Sequence, residues 1–417
     1  MCRTPAGNRR AHMKITDVEA IQINPKLCAR NADQKPRFSG IDTQTIYKVT
    51  LDNGVVGWGD TRGHTELSDK VVDSLVGTSP MPHLHTDHPT GLHGALYDAV
   101  GKSLEVPAWQ LMGRKYRDRV PVAAWTRPAS PEDLAAEVQR AVGEGYMTFK
   151  SHSCAYYCVV ESTQAVQDVA PAGFRFHWDF NHNRTPTDIM RLVAEIETYP
   201  VVAVLEDPLN WRDVEGWRQL REKTSLPLLM HVPQLGGGPE IRIGSADLYM
   251  IGENGIPLSI RRGHACAEAN LSTVIQLTGG TLSKALGLHL GATLPHVSHM
   301  TNLDDQYDED VTGGRFEVAE GSSPVPDGPG LGVDVDEKEL ERLRQAPKTV
   351  VPRIISELHM PLGGRFALQG WPGVDRLTGF PEGNVRGIRL ELWEEDGTPE
   401  WTKRWDDLAD GPRLETI

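Results

Sequence analysis

An α/β fold, a (β/α) barrel with an N-terminal α+β capping domain, is predicted for this 417-residue chain by three observations. Four chemically loaded segments recur about every 25 to 30 residues: Phe149-Lys150-Ser151-His152, Trp178-Asp179-Phe180-Asn181, Leu205-Glu206-Asp207-Pro208 and Met230-His231-Val232-Pro233. Each closes a short apolar run, and helix-like sequence separates it from the next, which is the period of a βα unit. Ahead of them lie an alternating strand, a hairpin and a helical stretch, enough for a separate cap. In a closed parallel barrel the C-terminal strand ends converge on one face, so a lysine, two carboxylates and two histidines remote in sequence would meet there. Packing does not ask for that set; metal-assisted acid–base chemistry does.

The elements follow in order. Residues 14–24 alternate apolar and polar as a half-buried strand does. A polar stretch, 25–43, has no pattern. Residues 45–50 and 55–58 flank Asp52-Asn53-Gly54, where Asn-Gly supplies the positive φ that a tight turn needs. Residues 91–113 have helical spacing. The repeat begins at Val120-Pro-Val-Ala-Ala-Trp125, and Ser130-Pro131-Glu132-Asp133 starts its first helix with a side-chain cap, a first-turn proline and acids at the positive dipole end. Strands are expected at 146–149, 174–180, 201–205, 226–230, 248–251 and 273–276. Helices are expected after Thr185-Pro186-Thr187-Asp188, over 213–222 and, as a last amphipathic one, over 282–294. The Gly/Pro/Asp-rich segment 321–336 leaves the barrel, and 337–345 reads as a short charged helix. The tail, 350–417, is expected to hold a hairpin of 386–393 against 400–405 around Asp396-Gly397, serving cap or oligomer contacts. Domain limits are set at 13–119 for the cap, 120–320 for the barrel and 321–417 for a segment returning to the cap with its extra tail.

Hydrophobic content of 39% with 24% charged residues suits a soluble globular protein. A net charge of −14 argues against a phosphate-tracking nucleic-acid surface. An acidic chain that handles an anionic substrate needs local positive charge, and a divalent cation supplies it. Five cysteines without a metal or disulfide framework, no apolar signal core and no run near the ~18 residues of a membrane span point to a cytoplasmic, membrane-free protein whose start is Met1 or Met13.

Asp52-Asn-Gly-Val-Val-Gly-Trp-Gly59 and Ala95-Leu-Tyr-Asp-Ala-Val-Gly-Lys102 in the cap, Phe149-Lys150, Asp179-Phe-Asn181 and Glu206-Asp-Pro208 in the barrel, and the exit Pro329-Gly-Leu-Gly-Val-Asp-Val-Asp336 stand in a fairly specific order. In that order the chain resembles the enolase superfamily, in its mandelate racemase and glucarate dehydratase branch, over roughly residues 14–335. The resemblance implies a barrel of the modified TIM type. It also implies a reaction in which a divalent ion, usually Mg²⁺, grips a substrate carboxylate, a base removes the α-proton, and the ion stabilises the enediolate. By resemblance Asp179 and Glu206 are the first two metal ligands, Asn181 the polar residue beside the first, and Lys150 the first lysine of a Lys-x-Lys pair.

Departures from the pattern shape the expected chemistry. His152 stands where the second lysine would act as base, and histidine takes a proton near neutral pH. The third ligand falls at His231, or at Val232 if the register slips by one; imidazole favours Mn²⁺, Zn²⁺ or Fe²⁺ over Mg²⁺. Glu253 and Gln276 replace the aspartate and histidine of the opposite-face base, so Gln276 is expected to hydrogen-bond substrate, as is Asn181, and Glu253 is weighed as a substitute acid. The expected function is a metal-dependent dehydratase of a sugar acid, with His152 as base assisted by the charge of Lys150. The alternatives are a one-base epimerase or cycloisomerase, or an inactive relative. The expected partner is a small-molecule carboxylate, and relatives of this fold are often homo-oligomers. The loop 25–43 and the turn 58–64 are expected to close over substrate. His83-Leu-His85-Thr-Asp87-His88 matches a signature of metallo-β-lactamase-like hydrolases, but it follows a turn rather than a buried strand and is expected to be a polar loop. The run 304–310, rich in aspartate, is expected to be a solvated loop near the barrel mouth.

Overall fold

The structure, a computed structural model, describes residues 13–30, 41–231, 233, 236 and 238–416. Eight parallel strands form its centre: Arg119–Trp125, Thr148–His152, Arg175–Asp179, Val202–Glu206, Leu228–Met230, Leu248–Gly252, Ser272–Gln276 and Val297–Thr301. The eighth pairs with the first, Met300 opposite Val122 and Thr301 opposite Ala123, so the sheet closes into a barrel. Helices fill the seven intervals between strands, whereas the eighth strand is followed only by the short 3-10 turn Asp304–Gln306. That is a modified TIM barrel, (β/α)7β.

Local chemistry places the helices. Ser130 Oγ accepts from Asp133 N, Thr185 Oγ1 from Asp188 N, and Asp213 Oδ1 from Gly216 N, each satisfying an orphan donor of a helix's first turn. The seventh helix, Thr281–Ala292, is buried along its whole length rather than amphipathic as expected. Its N-terminus receives acids from outside the barrel: Asp60 accepts from Gly280 N and Ser283 N at 2.7 Å each, and Asp310 from Thr281 N at 3.0 Å.

The cap is a three-stranded antiparallel sheet, Ile15–Ile23, Gln44–Leu51 and Val56–Arg62, packed on the helix Thr90–Leu104. The turn between its last two strands places Gly54 at φ 83°. Gly57 and Gly59 let the sheet touch the helix: an added Cβ would sit 2.2 Å from the Ala95 carbonyl oxygen or 2.1 Å from that of Gly91. From the same helix the buried carboxylate of Asp98 accepts from Trp58 N and from Leu331 N, both at 2.8 Å, tying the segment after the barrel back to the cap.

The tail corrects one expectation. Residues 389–394 do form a strand, but its partner is Ile354–His359, in a four-stranded antiparallel sheet with Gly364–Gln369 and Arg413–Thr416. The expected second hairpin strand is instead the helix Pro399–Asp407, whose Thr398 accepts from Trp401 N and whose buried Trp401 packs on Ile355 and Ala367. Leu358, Val374 and Ile388 of the tail bury Cys154, Ala155 and Tyr156, the loop that follows His152. The aspartate-rich run is solvated only in its second half, where Asp308 is exposed. Asp304 pairs with Lys284 at 3.2 Å and Asp305 with Arg140 at 3.4 Å, both acids buried. Among the described residues no helix is long and apolar enough to cross a membrane, and none of the four described cysteines forms a disulfide.

Candidate active site at the barrel mouth

Strand register brings the sequence-predicted residues together. His152 lies opposite Asp179, and Asp179 opposite Glu206; one pleat deeper, Lys150 lies opposite His177 and His177 opposite Val204. Because alternate residues share a face, all of these point into the barrel. At the mouth is a cavity of about 250 Å³ whose lining includes Arg62, Trp125, His152, Asp179, Asn181, His231, Glu253 and Gln276.

A buried ammonium ties the acids together. Lys150 Nζ lies 3.1 Å from Asp179 Oδ2 and 2.6 Å from Glu206 Oε2, and donates to Gln276 Oε1 at 2.9 Å. Burial alone would lower the lysine's pKa, but Glu206 and Asp179 outweigh it and raise the value, which favours the charged ammonium. Glu206 is fully buried. Desolvation would push its carboxyl up, yet Lys150, His177 and His231 hold it well below the usual carboxylate range. Its neighbours are His177 Nε2 at 2.7 Å and His231 Nδ1 at 3.0 Å. They hold Glu206 by proximity of charge and dipole, since neither oxygen accepts a well-aligned hydrogen bond. Oε2 already meets the Lys150 ammonium, so Oε1 is the oxygen that suits a further cation.

His231 also lies 3.3 Å from Glu253 Oε2, and Glu206, Asp207 and His231 form a cluster with ligand atoms within 4.8 Å of one another. Asp207 accepts from His231 N at 3.0 Å and lies 3.1 Å from His182 Nε2. Burial, then the charges of Glu206 and Asp179, raise its carboxyl well above the ordinary range. Val232, the alternative third ligand, and residues 31–40 of the loop expected to close over substrate lie outside the described residues.

His152 is 3.4 Å from Asp179 Oδ2 and its Nδ1 is 2.7 Å from the Asn181 amide. Burial is the main influence on its pKa, with Lys150 adding and Asp179 opposing, and the net shift is below the ordinary 6.5. A neutral imidazole at the cavity wall suits a proton acceptor. Strain collects here too: Asn181, His182 and Asp207 have φ of 50°, 62° and 44°, left-handed values that non-glycine residues seldom hold. Gln276 spends Oε1 on Lys150 and on Thr301 Oγ1, and its Nε2 donates to Glu253 at 3.3 Å.

Sequence reasoning missed several members of the site. His177 and His299 were not singled out, although His177 sits two residues before Asp179 and therefore shares its face. Trp125 lines the cavity from the first barrel strand, while Arg62, which lines it from the cap, falls within the turn 58–64 expected to close over substrate. The His231–Glu253 pair stands three and four strands round the barrel from His152, where a histidine–carboxylate base was expected to be lacking. The histidines of the cap loop are satisfied locally: His83 bonds Thr78 Oγ1 at 2.8 Å and His88 bonds Thr86 Oγ1 at 2.9 Å.

Comparison with known proteins bears on what this arrangement does. A family model described as "Enolase C-terminal domain-like" matches residues 133–231 and 244–339. D-galactonate dehydratase of Klebsiella pneumoniae (strain 342) is 26% identical over 361 residues, covering 72% of this chain and 91% of that protein. D-gluconate dehydratase of Thermoproteus tenax is 26% identical over 284 residues, covering 61% of this chain and 56% of that protein, so the chain spans little more than half of that relative. Among solved structures, an isomerase from Streptomyces coelicolor A3(2) superposes with a TM-score of 0.64 at 24% identity, over 80% of this chain and 97% of its own. A muconate cycloisomerase from Pseudomonas fluorescens superposes with a TM-score of 0.68 at 19% identity, over 80% and 99%. At these identities the structural likeness speaks for the fold.

Proposed function

We propose that this chain, which belongs to the enolase superfamily, is a metal-dependent dehydratase of a sugar acid. It would remove the proton α to a carboxylate and expel a β-hydroxyl as water, the departing oxygen taking its second proton from a general acid in the site. The observation that carries this reading is the convergence of Asp179 and Glu206 on one buried ammonium beneath a small-molecule-sized cavity walled by His152. Both dehydratase relatives act on sugar acids by their names, which supports the choice of reaction.

Asp179 and Glu206, which converge on Lys150, are the residues that would hold the cation with His231, although the donor cluster within ligand distance is Glu206, Asp207 and His231, without Asp179. When bound, a divalent ion supplies Lewis-acid neutralisation of a substrate carboxylate and of the charge that α-deprotonation creates. Mg²⁺ is the superfamily's usual ion, while the imidazole of His231 favours Mn²⁺. His152 accepts the α-proton. For that its Nε2 must carry the lone pair, which requires Nδ1–H to face an acceptor: Asp179 Oδ2, or Asn181 Oδ1 after rotation of the amide. Lys150 keeps the floor of the site positive. Asn181 offers its amide to substrate hydroxyls, and Gln276 the Nε2 hydrogen not given to Glu253.

The test is direct. Purified protein with Mg²⁺ or Mn²⁺ is incubated with a panel of aldonic and aldaric acids and assayed for 2-keto-3-deoxy product. Failure of every acid with every metal removes the proposal. The His231–Glu253 pair supports a second reading, epimerisation, in which the imidazole serves the face opposite His152. Solvent deuterium in recovered substrate without keto-acid would select it.

A further inference from the structure

Most of the barrel interior below the site is apolar. Val204, Leu229, Leu248, Met250 and Val274 pack together on the inward faces of strands four to seven. The opposite wall breaks the pattern with two fully buried imidazoles, His177 on the third strand and His299 on the eighth. Buried imidazoles are costly unless every nitrogen is used, and these two are joined end to end. His177 Nε2 lies 2.7 Å from Glu206 Oε2, and His177 Nδ1 lies 3.0 Å from His299 Nε2. His299 Nδ1 lies 3.1 Å from Ser298 Oγ, which in turn accepts from an Arg175 guanidinium nitrogen at 3.1 Å. The chain of contacts runs from the mouth of the barrel to its far end.

We propose that Arg175, Ser298, His299 and His177 form a one-way donor chain that presents an N–H to Glu206 and aims this carboxylate at its cation, making His177 a positioning residue. The inference rests on the metal-site reading above. Direction follows from the two ends. Glu206 is ionised and only accepts, so the Nε2 facing it at 2.7 Å carries a proton; a lone pair there would oppose a full negative charge. At the other end Ser298 Oγ accepts from the guanidinium and so turns its own proton to His299 Nδ1, which leaves His299 Nε2–H as the donor to His177 Nδ1. The reverse polarity places two lone pairs face to face at the Glu206 end. The His177 N–H is close to Glu206 but not aligned with it. It restrains Oε2, which the Lys150 ammonium also meets at 2.6 Å, and so leaves Oε1 as the oxygen for a cation.

The test combines calorimetric Mn²⁺ titration with long-range ¹H–¹⁵N correlation on ¹⁵N-histidine-labelled protein, assigned with His177→Gln and His299→Gln. Histidine partners behind a metal ligand typically change metal affinity about 10- to 100-fold, so His177→Phe should weaken Mn²⁺ binding by about that factor. His177→Gln, whose amide N–H can reach Glu206, should restore most of the loss, which a mere packing role would not produce. The wild-type spectrum should show the Nε2–H tautomer at both histidines. Equal Mn²⁺ affinity in wild type and His177→Phe overturns the inference and leaves the metal site standing. A wild type that takes up no Mn²⁺ overturns both. If His177→Phe does not fold, the wild-type spectrum decides: an Nδ1–H tautomer at His177 ends the proposal.

Discussion

Lys150 Nζ stands 2.6 Å from Glu206 Oε2, and neither side chain is more than 2% exposed. An ammonium so placed keeps two inward carboxylates compatible when no other cation is near. Lys150→Met should therefore leave Asp179 and Glu206 uncompensated and cost about 3–5 kcal/mol in chelator. Added Mg²⁺ or Mn²⁺ should raise the melting temperature of the variant more than that of wild type. Equal shifts in the two proteins would mean that the acids do not share a cation.

His152→Gln should separate chemistry from binding. Loss of a general base lowers turnover about 10²- to 10⁴-fold, while Mn²⁺ affinity should change far less because Asp179 and Glu206 remain. A parallel collapse of metal binding would make His152 a ligand instead.

Asp60 gives a pH signature away from the acids of the barrel mouth. Burial, then the charge of Asp310, raise its carboxyl from 3.8 to about 7, against the opposing pull of the Ser283 and Gly280 bonds. The folded state thus holds this proton more tightly than the unfolded chain does. Its contribution to stability is complete below about pH 4 and is lost as pH rises through 7, a difference of roughly 4 kcal/mol at most. In Asp60→Asn that part of the slope between about pH 4 and 7 should vanish from melting or urea curves. An unchanged slope assigns the dependence to other groups.

Trp401→Ala tests the tail. The indole is fully buried and donates to the Trp393 carbonyl, so truncation should cost about 3–5 kcal/mol. Limited proteolysis should then cut within 350–416 before the barrel yields. Simultaneous loss of both regions would make them one cooperative unit.

What could be read from the chain followed from physics that acts locally. Lys150, Asp179, Glu206 and His231 announce themselves because charged side chains that close apolar runs at a βα period serve neither packing nor solubility. The eighth strand did not, since Val-Ser-His-Met-Thr lacks an apolar run; His299 and Thr301 face inward beside other polar groups. The helix Pro399–Asp407 carried a readable start in Thr398-Pro399-Glu400, overridden by the turn signal of Asp396-Gly397 just before it. The first half of the run 304–310 was misjudged because composition cannot show that Lys284 and Arg140 wait for its acids. His177 was legible in principle: a strand's two-residue alternation seats it beside Asp179.

The strand that seals the cylinder also brings His299 to His177, 122 residues upstream. An early refolding species with strands three and four aligned but the eighth still loose would own both acids yet lack the brace behind Glu206. Ion capture in such a species should lag behind the rise of helical signal and coincide with ring closure, which makes Mn²⁺ uptake a stopwatch for the final seam.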